Sequence, residues 1–193
     1  IDWFSDQMAK KKVLILFGPT ASGKSNLALK ISANVEATII NADSMQVYKN
    51  LKILTSRPSD EDEKKVTHKL YGIMDGTENC SVAAWLKLAK EEIQISWNKN
   101  KLPILVGGTG MYLKSLMEGI SEIPSIPDSI ILETKEILKN NGLEYLYRTL
   151  IESNNQTIIN KKDTQRVVRA FNVFKYTGKP IEEWQKMNKK ALE

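Results

Sequence analysis

Val13-Leu14-Ile15-Leu16-Phe17-Gly18-Pro19-Thr20-Ala21-Ser22-Gly23-Lys24-Ser25 is the stretch that decides the fold. Its first five residues form an unbroken apolar run, the mark of a strand buried on both faces as in a parallel sheet. The next eight match G-x-x-x-x-G-K-[ST] in full, and residues 26–33 continue as a helix. A loop that wraps a phosphate must point backbone N–H groups inward, so glycines stand where the chain turns tightly. The helix N-terminus adds partial positive charge. Lys24 adds a full charge, and Ser25 offers a hydroxyl to Mg²⁺. Gly18, Pro19, Thr20, Ala21, Ser22, Gly23, Lys24 and Ser25 are therefore the expected diphosphate- or nucleotide-binding residues.

Outward from this loop the same alternation repeats. Residues 37–42 (ATIINA) read as a second short strand ending at Asp43, and residues 70–73 as a third. Ser81 is a good N-cap for a helix to about Trp97, with Val82, Trp85, Ala89 and Ile93 on one face. Residues 103–106 read as a further buried strand. Gly107-Gly108-Thr109-Gly110 then turns into a helix through about Glu118. Strands alternating with helices predict an α/β fold with a parallel sheet of the P-loop NTPase type.

After Gly119 the texture changes. Pro124 and Pro127 punctuate a linker, and helical patterns follow at residues 128–140, 143–152, 163–176 and 180–190. Asp163 caps the third, Gly178 ends it, and Pro180 opens the next. The expected organisation is an N-terminal extension over 1–12, a P-loop core over 13–120, and an all-helical module over 121–193.

The bulk numbers set bounds. The chain has 193 residues, 41% hydrophobic and 26% charged, as soluble globular proteins do. One cysteine, Cys80, forms no internal disulfide, so a reducing cytoplasm is expected. No apolar run approaches the roughly 18 residues of a membrane span. Residues 1–12 hold Asp2 and Asp6 and no apolar core, unlike a signal peptide. The chain opens with Ile1, and Met8 reads as a candidate start. Net charge is +5. Residues 160–193 carry nine Lys/Arg against four Asp/Glu, while residues 120–159 are net acidic. Such an excess permits a polyanionic partner, and it equally suits a solvated surface.

The strand before the second glycine turn disfavours a standard kinase. A P-loop kinase places a metal-holding Asp at the end of an apolar strand. Residues 104–106 run instead into Gly107-Gly108-Thr109. The acid that does end an apolar strand is Asp43. It could hold metal, accept a proton, or cap the Asp43-Ser44 turn.

Seven blocks, in order, carry a resemblance: GPTASGKS (18–25), NADSMQVY (41–48), TSRP (55–58), HKL (68–70), GGTGMY (107–112), DTQRVVRA (163–170) and TGKP (177–180). Together they resemble the bacterial-type tRNA dimethylallyltransferases, the IPP transferase family, over about Val13 to Trp184. The resemblance implies a P-loop core with a helical insertion domain. It implies transfer of a dimethylallyl group from dimethylallyl diphosphate to N6 of the adenosine just 3′ of the tRNA anticodon, with release of diphosphate. On it, Lys24 and Thr20 steady the leaving diphosphate, Ser25 binds Mg²⁺, and Asp43 is the general base. Asp43, Ser44, Met45, Gln46 and Thr109, with Gln165, Arg166, Val167, Val168 and Arg169, match tRNA-contacting segments. The bland alternatives are a helix cap for Thr109 and solvated charge for the arginines. Periodicity also puts Val167, Ala170, Phe171 and Phe174 on a packed helix face.

The implied partners are the anticodon stem-loop of tRNA and dimethylallyl diphosphate, with a monomer and no membrane. Arg57 stands where the family more often has Lys, and Lys162 where an Asn is common. His68 falls in a matched block and reads as structural. Family members continue further, so the 193 residues are expected to be either a piece of such a protein or the product of a decayed gene, with donor binding favoured over full catalysis. The rival readings are an adenylate isopentenyltransferase acting on free nucleotides, a small-molecule kinase, and a tRNA- or diphosphate-binding fragment without activity.

Overall fold

The structure is a computed structural model that describes residues 11–121, 123–153, 157–187 and 192. The described residues through Gly119 form one compact unit and those of Ile120–Lys190 a second.

The first unit is an α/β layer structure. Its elements are β1 (Leu14–Phe17), α1 (Lys24–Ser32), β2 (Ala37–Asn41), a 3₁₀ turn (Lys49–Leu51), α2 (Asp60–Lys65), β3 (Thr67–Lys69), α3 (Val82–Asn98), β4 (Leu102–Gly107) and α4 (Gly110–Glu118). The four strands are parallel in the order β1-β4-β2-β3. The register sets Phe17 beside Gly107 and Asn41 beside Val106. The carboxyl ends of β1, β4 and β2 therefore lie along one edge. Ligands of open α/β sheets bind outside that edge.

Burial follows from this order. All five residues of β2 are buried, as are Ile104, Leu105 and Val106 of β4. Trp85, Ala89 and Ile93 of α3 are fully buried, as the helical spacing predicts. Ser81 caps α3 by accepting from the Ala84 N–H at 3.1 Å. Four acids in the first turn of α2 and two lysines in its last complement the helix dipole.

Two expectations are corrected here. β1 is not buried on both faces: Leu14, Ile15 and Leu16 are half-buried and Phe17 is exposed. Among the described residues β1 pairs with β4 alone, so its other flank lacks a covering strand. The third strand is Thr67–Lys69 rather than 70–73. Leu70 (φ 63°) and Gly72 (φ 57°) adopt left-handed backbone that no strand continues through.

The second unit is all helical: α5 (Asp128–Ser153), α6 (Thr164–Thr177) and α7 (Ile181–Lys186). Gly142 (φ 79°, ψ 171°) breaks α5 into the two helices the sequence predicts. Asp163 caps α6 by accepting from the Arg166 N–H at 3.1 Å, and Gly178 (φ 69°) closes it. Pro180 caps α7 rather than opening it, and α7 stops at Lys186. The core gathers Leu146, Leu150, Val167, Ala170, Phe171, Val173 and Ile181. Residues 1–10 of the expected extension and 188–190 of the expected last helix lie outside the described residues. Among the described residues no helix is long and apolar enough to cross a membrane.

Candidate active site

The loop between β1 and α1 takes the form its glycines permit. Gly23 is left-handed (φ 81°) at the N-cap of α1, and Ala21 is left-handed too (φ 63°). No side chain caps α1 and no acid stands in its first turn. Its first N–H groups are therefore left without a capping side chain, the condition in which a helix N-terminus can receive an anion. Lys24 lies across its own loop, donating from Nζ to the Pro19 carbonyl and to Ser22 Oγ (3.2 Å).

This loop forms one wall of a cleft of about 650 Å³. Gly18 and residues 20–26 line it from one side, Val106, Gly107 and Gly108 from the sheet edge, and Asp43, Met45, Gln46, Leu54, Thr55 and Ser56 from the other. A second hollow of about 330 Å³ is lined by Phe17, Gly18, Pro19, Thr20, Asp43, Gly108 and Thr109. Gly18, Thr20, Asp43 and Gly108 line both.

Asp43 is placed by several local constraints. Its Oδ1 accepts from the Met45 N–H at 2.9 Å, a turn made by its own side chain. A Cβ on Gly108 would lie 3.8 Å from Oδ2, so that oxygen faces the glycine turn after β4. The Asp43 N–H donates to Asn41 Oδ1 at 2.8 Å, and Asn41 Nδ2 donates back to the Asp43 carbonyl at 2.9 Å. Trp85, stacked on Tyr112 with ring centroids 4.3 Å apart, donates from Nε1 to the Asn41 carbonyl at 2.8 Å. Gly107 permits β4 to approach: a Cβ there would meet the Ala42 carbonyl carbon and oxygen at 2.1 Å and Asp43 N at 2.7 Å.

Thr109 stands at the N-cap of α4 but makes no side-chain cap bond. Its hydroxyl instead accepts from the Ser44 N–H at 2.9 Å and lies 3.2 Å from Ser44 Oγ. The expected capping role is thus replaced by a brace on the Asp43-Ser44 turn.

The far wall is held by a strap. Gln46 Nε2 donates to the Thr55 carbonyl at 2.7 Å, and the Gln46 main-chain carbonyl accepts from the Gly72 N–H at 2.9 Å. Arg57 donates to the carbonyls of Tyr48 (3.3 Å) and Lys49 (3.2 Å). Its guanidinium lies against Gly72, where a Cβ would sit 2.1 Å from it. Behind Ser25, His68 and Tyr71 line a chamber of about 100 Å³. The His68 ring meets Tyr71 edge-on at 5.6 Å, with Nδ1 2.9 Å from the Val66 carbonyl. Burial pushes the His68 pKa down, and burial, reinforced by the Asp43 charge, pushes the Tyr71 phenol up. Both are neutral at neutral pH, in keeping with a structural His68.

In the second unit Gln165, Arg166 and Arg169 are exposed on α6. Arg166 Nε pairs with Asp163 at 3.3 Å, with the arginine largely solvated and the aspartate partly covered. Val167 does not belong with them. It is fully buried, and Val168 packs half-buried against the same core. Helical periodicity turns these valines inward, so neither offers its side chain to a nucleic acid.

Of the predicted site residues, the structure brings Gly18, residues 20–25, Asp43, Met45 and Gln46 around one cleft, with Pro19 and Thr109 in the adjoining hollow. The sequence assigned no part in the site to Asn41 or to the Arg57–Gly72 contact, and it read Trp85 only as a helix-face residue and Gly107 only as part of a turn. Asn41 did carry a signal: a polar amide ending an otherwise apolar strand. Among the described residues no three His, Cys, Asp or Glu gather as a metal cluster.

The IPP transferase family model matches residues 46–193. The chain belongs to the IPP transferase family. A tRNA dimethylallyltransferase of this kind from Pelagibacter ubique (strain HTCC1062) is 42% identical over 177 residues, 91% of this chain and 56% of that protein. One from Zymomonas mobilis subsp. mobilis is 43% identical over 183 residues, covering 94% and 57%. The fold matches a solved eukaryotic dimethylallyltransferase acting on tRNA with a TM-score of 0.80 at 28% identity, over 94% of this chain and 46% of the other. It also matches the full-length tRNA isopentenylpyrophosphate transferase from Bacillus halodurans at TM-score 0.57 and 30% identity, over 89% and 57%. The chain spans about half the length of the curated relatives it matches.

Proposed function

We propose that this IPP transferase family member holds dimethylallyl diphosphate in the P-loop cleft and passes the dimethylallyl group to N6 of the adenosine just 3′ of the anticodon in tRNA. The observation that carries this reading is the position of Asp43. Asp43 lines both the phosphate cleft and the adjoining hollow, with Gly18, Thr20 and Gly108. One hollow suits the donor's diphosphate, and the other a base presented from outside.

The chemistry follows from the residues. The allylic C–O bond breaks as the N6–C bond forms. Positive charge grows on the allylic carbon and negative charge on the departing diphosphate. In this reading the α1 N–H groups, the Lys24 ammonium and the Thr20 hydroxyl stabilise the negative charge that develops there. An adenine amino nitrogen is a weak nucleophile because its lone pair is delocalised into the ring. Asp43 accepts the N6 proton during attack, an assistance of about 10²–10⁴-fold. One Asp43 oxygen is tied to the Met45 N–H and the other faces Gly108, so the second is the acceptor.

The donor set fits Mg²⁺. Ser25 supplies a hard oxygen, and without an acidic cluster the ion's remaining ligands would be diphosphate oxygens and water, which is how Mg²⁺ is usually held. When bound it neutralises charge on the leaving diphosphate.

The target adenine has to leave its stack, which costs a few kcal/mol and least in a loop. Gln165, Arg166 and Arg169 grip the anticodon stem-loop phosphates in this reading. It takes the enzyme as a monomer in a reducing compartment, which the single Cys80 suits. The test is a four-way incubation: dimethylallyl diphosphate or ATP, with tRNA or AMP. Product from dimethylallyl diphosphate and tRNA supports the proposal. Product from AMP supports the free-nucleotide enzyme instead, and phosphoryl transfer from ATP refutes both.

A further inference from the structure

We propose that Asn41 is the positioning residue that aims the Asp43 carboxylate. The inference rests on Asp43 being the proton acceptor, as proposed above. Asn41 is fully buried at the end of β2, and its carboxamide is used on both sides. Oδ1 accepts from the Asp43 N–H at 2.8 Å; Nδ2 donates to the Asp43 carbonyl at 2.9 Å and to the Leu70 carbonyl at 3.1 Å. One planar group thus grips the peptide units before and after the Asp43 Cα. Holding both fixes the two backbone dihedrals of residue 43, and with them the direction of its Cα–Cβ bond.

Chemistry restricts the position to Asn. A carboxylate lacks the donor that two carbonyls need. Gln is one methylene longer and would have to fold back inside a closed core. Ser can serve the N–H or a carbonyl but not span both. The amide orientation is set by its partners, because an N–H needs the oxygen and two carbonyls need the nitrogen. The Leu70 bond adds a second consequence. Leu70 is left-handed and leads into Gly72, whose N–H holds Gln46 of the cleft wall. Asn41 therefore ties the proton acceptor to the strap that carries the opposite wall. The Trp85 indole, bonded to the Asn41 carbonyl, holds the clamp from beneath.

The test uses Asn41→Asp, which keeps the shape, and Asn41→Ser, which is smaller. Pyrophosphate binding reports whether the P-loop is folded in each. In transfer from dimethylallyl diphosphate to tRNA, kcat should fall about 10²-fold, the effect of an acceptor misplaced by about 1 Å, with KM for the donor unchanged. In an Asp43→Ala background the same substitutions should cause no further loss, because there is no carboxylate left to aim. Amide hydrogen exchange gives a readout independent of turnover. In a third variant, Asn41→Ala, which removes the acceptor altogether, the Asp43 N–H should exchange at least tenfold faster, while the neighbouring Ala42 N–H, bonded to the Val106 carbonyl at 2.8 Å, stays protected. An unchanged Asp43 exchange rate, or equal losses with and without Asp43, overturns the clamp. Normal turnover of Asp43→Ala itself would instead refute the proton-acceptor assignment, whatever the Asn41 variants do.

Discussion

Replacing Gly107 by Ala tests how tightly the end of β4 must approach the Asp43 turn. The added methyl would lie 2.1 Å from the carbonyl carbon and oxygen of Ala42 and 2.7 Å from Asp43 N. All three are backbone atoms, so no rotamer change relieves the clash. Real Cβ contacts stay above 3.0 Å, so the strands must part by about 0.9 Å at this point. The displaced atoms include the nitrogen of Asp43 itself, which carries the carboxylate with it. A shift near 1 Å costs a catalytic group about 10²-fold. Overpacking a filled core costs about 1–3 kcal/mol of stability. Gly107→Ala should therefore lower kcat for prenyl transfer by about two orders of magnitude. Pyrophosphate affinity should stay near wild type, because the loop 18–25 is anchored to β1 and α1. Single-turnover rates, pyrophosphate calorimetry and thermal unfolding on one preparation separate these effects. A Gly107→Ala protein with wild-type turnover would refute the reasoning, since it would show that the Asp43 turn need not sit where it does. Gly108→Ala is the control: its methyl would meet Gly18 O at 3.3 Å and Asp43 Oδ2 at 3.8 Å, a far smaller intrusion.

Three further outcomes are expected. Lys24→Ala should weaken pyrophosphate binding by about tenfold to hundredfold, as loss of a charged hydrogen-bond donor does, measured by calorimetry. His68 is held below its ordinary value of 6.5 by burial, so the unfolded chain takes up its proton first as pH falls. The stability tied to the neutral ring is full above about 6.5 and is lost as pH drops below it, so His68→Gln should flatten the fall of Tm between about pH 7 and 5. Arg166→Ala should weaken tRNA binding and lower the slope of log affinity against log salt by about one unit, where simple surface charge would leave the slope unchanged.

The phosphate loop was legible because its motif states a backbone requirement residue by residue. Gly23 is left-handed and Lys24 lies across the turn, as the spacing demands. Asp43 was legible as an acid closing an apolar strand. The caps were legible because Ser81 and Asp163 act on N–H groups three residues away. What escaped was set by distant parts of the chain. Nothing in residues 13–17 reveals that β1 pairs on one side among the described residues, which leaves Phe17 exposed. The left-handed turn at Leu70, which ends β3 early, is imposed on a residue with no local preference for it. The Asn41 clamp joins residues 41, 43 and 70, and the Thr109 brace reaches 65 positions back to Ser44. For Val167 two sequence signals conflicted. Helical periodicity placed it in the core, the matched segment placed it on the nucleic-acid side, and burial decides for the core.

The central claim is that a phosphate cradle and a proton acceptor face one another for alkylation of an exocyclic amine. Asp43→Ala, assayed for dimethylallyl diphosphate binding and for transfer to tRNA on the same sample, tests it most directly. Donor affinity should be retained while transfer falls by about 10²–10⁴-fold. Transfer at the wild-type rate, or donor binding lost along with it, would contradict the account.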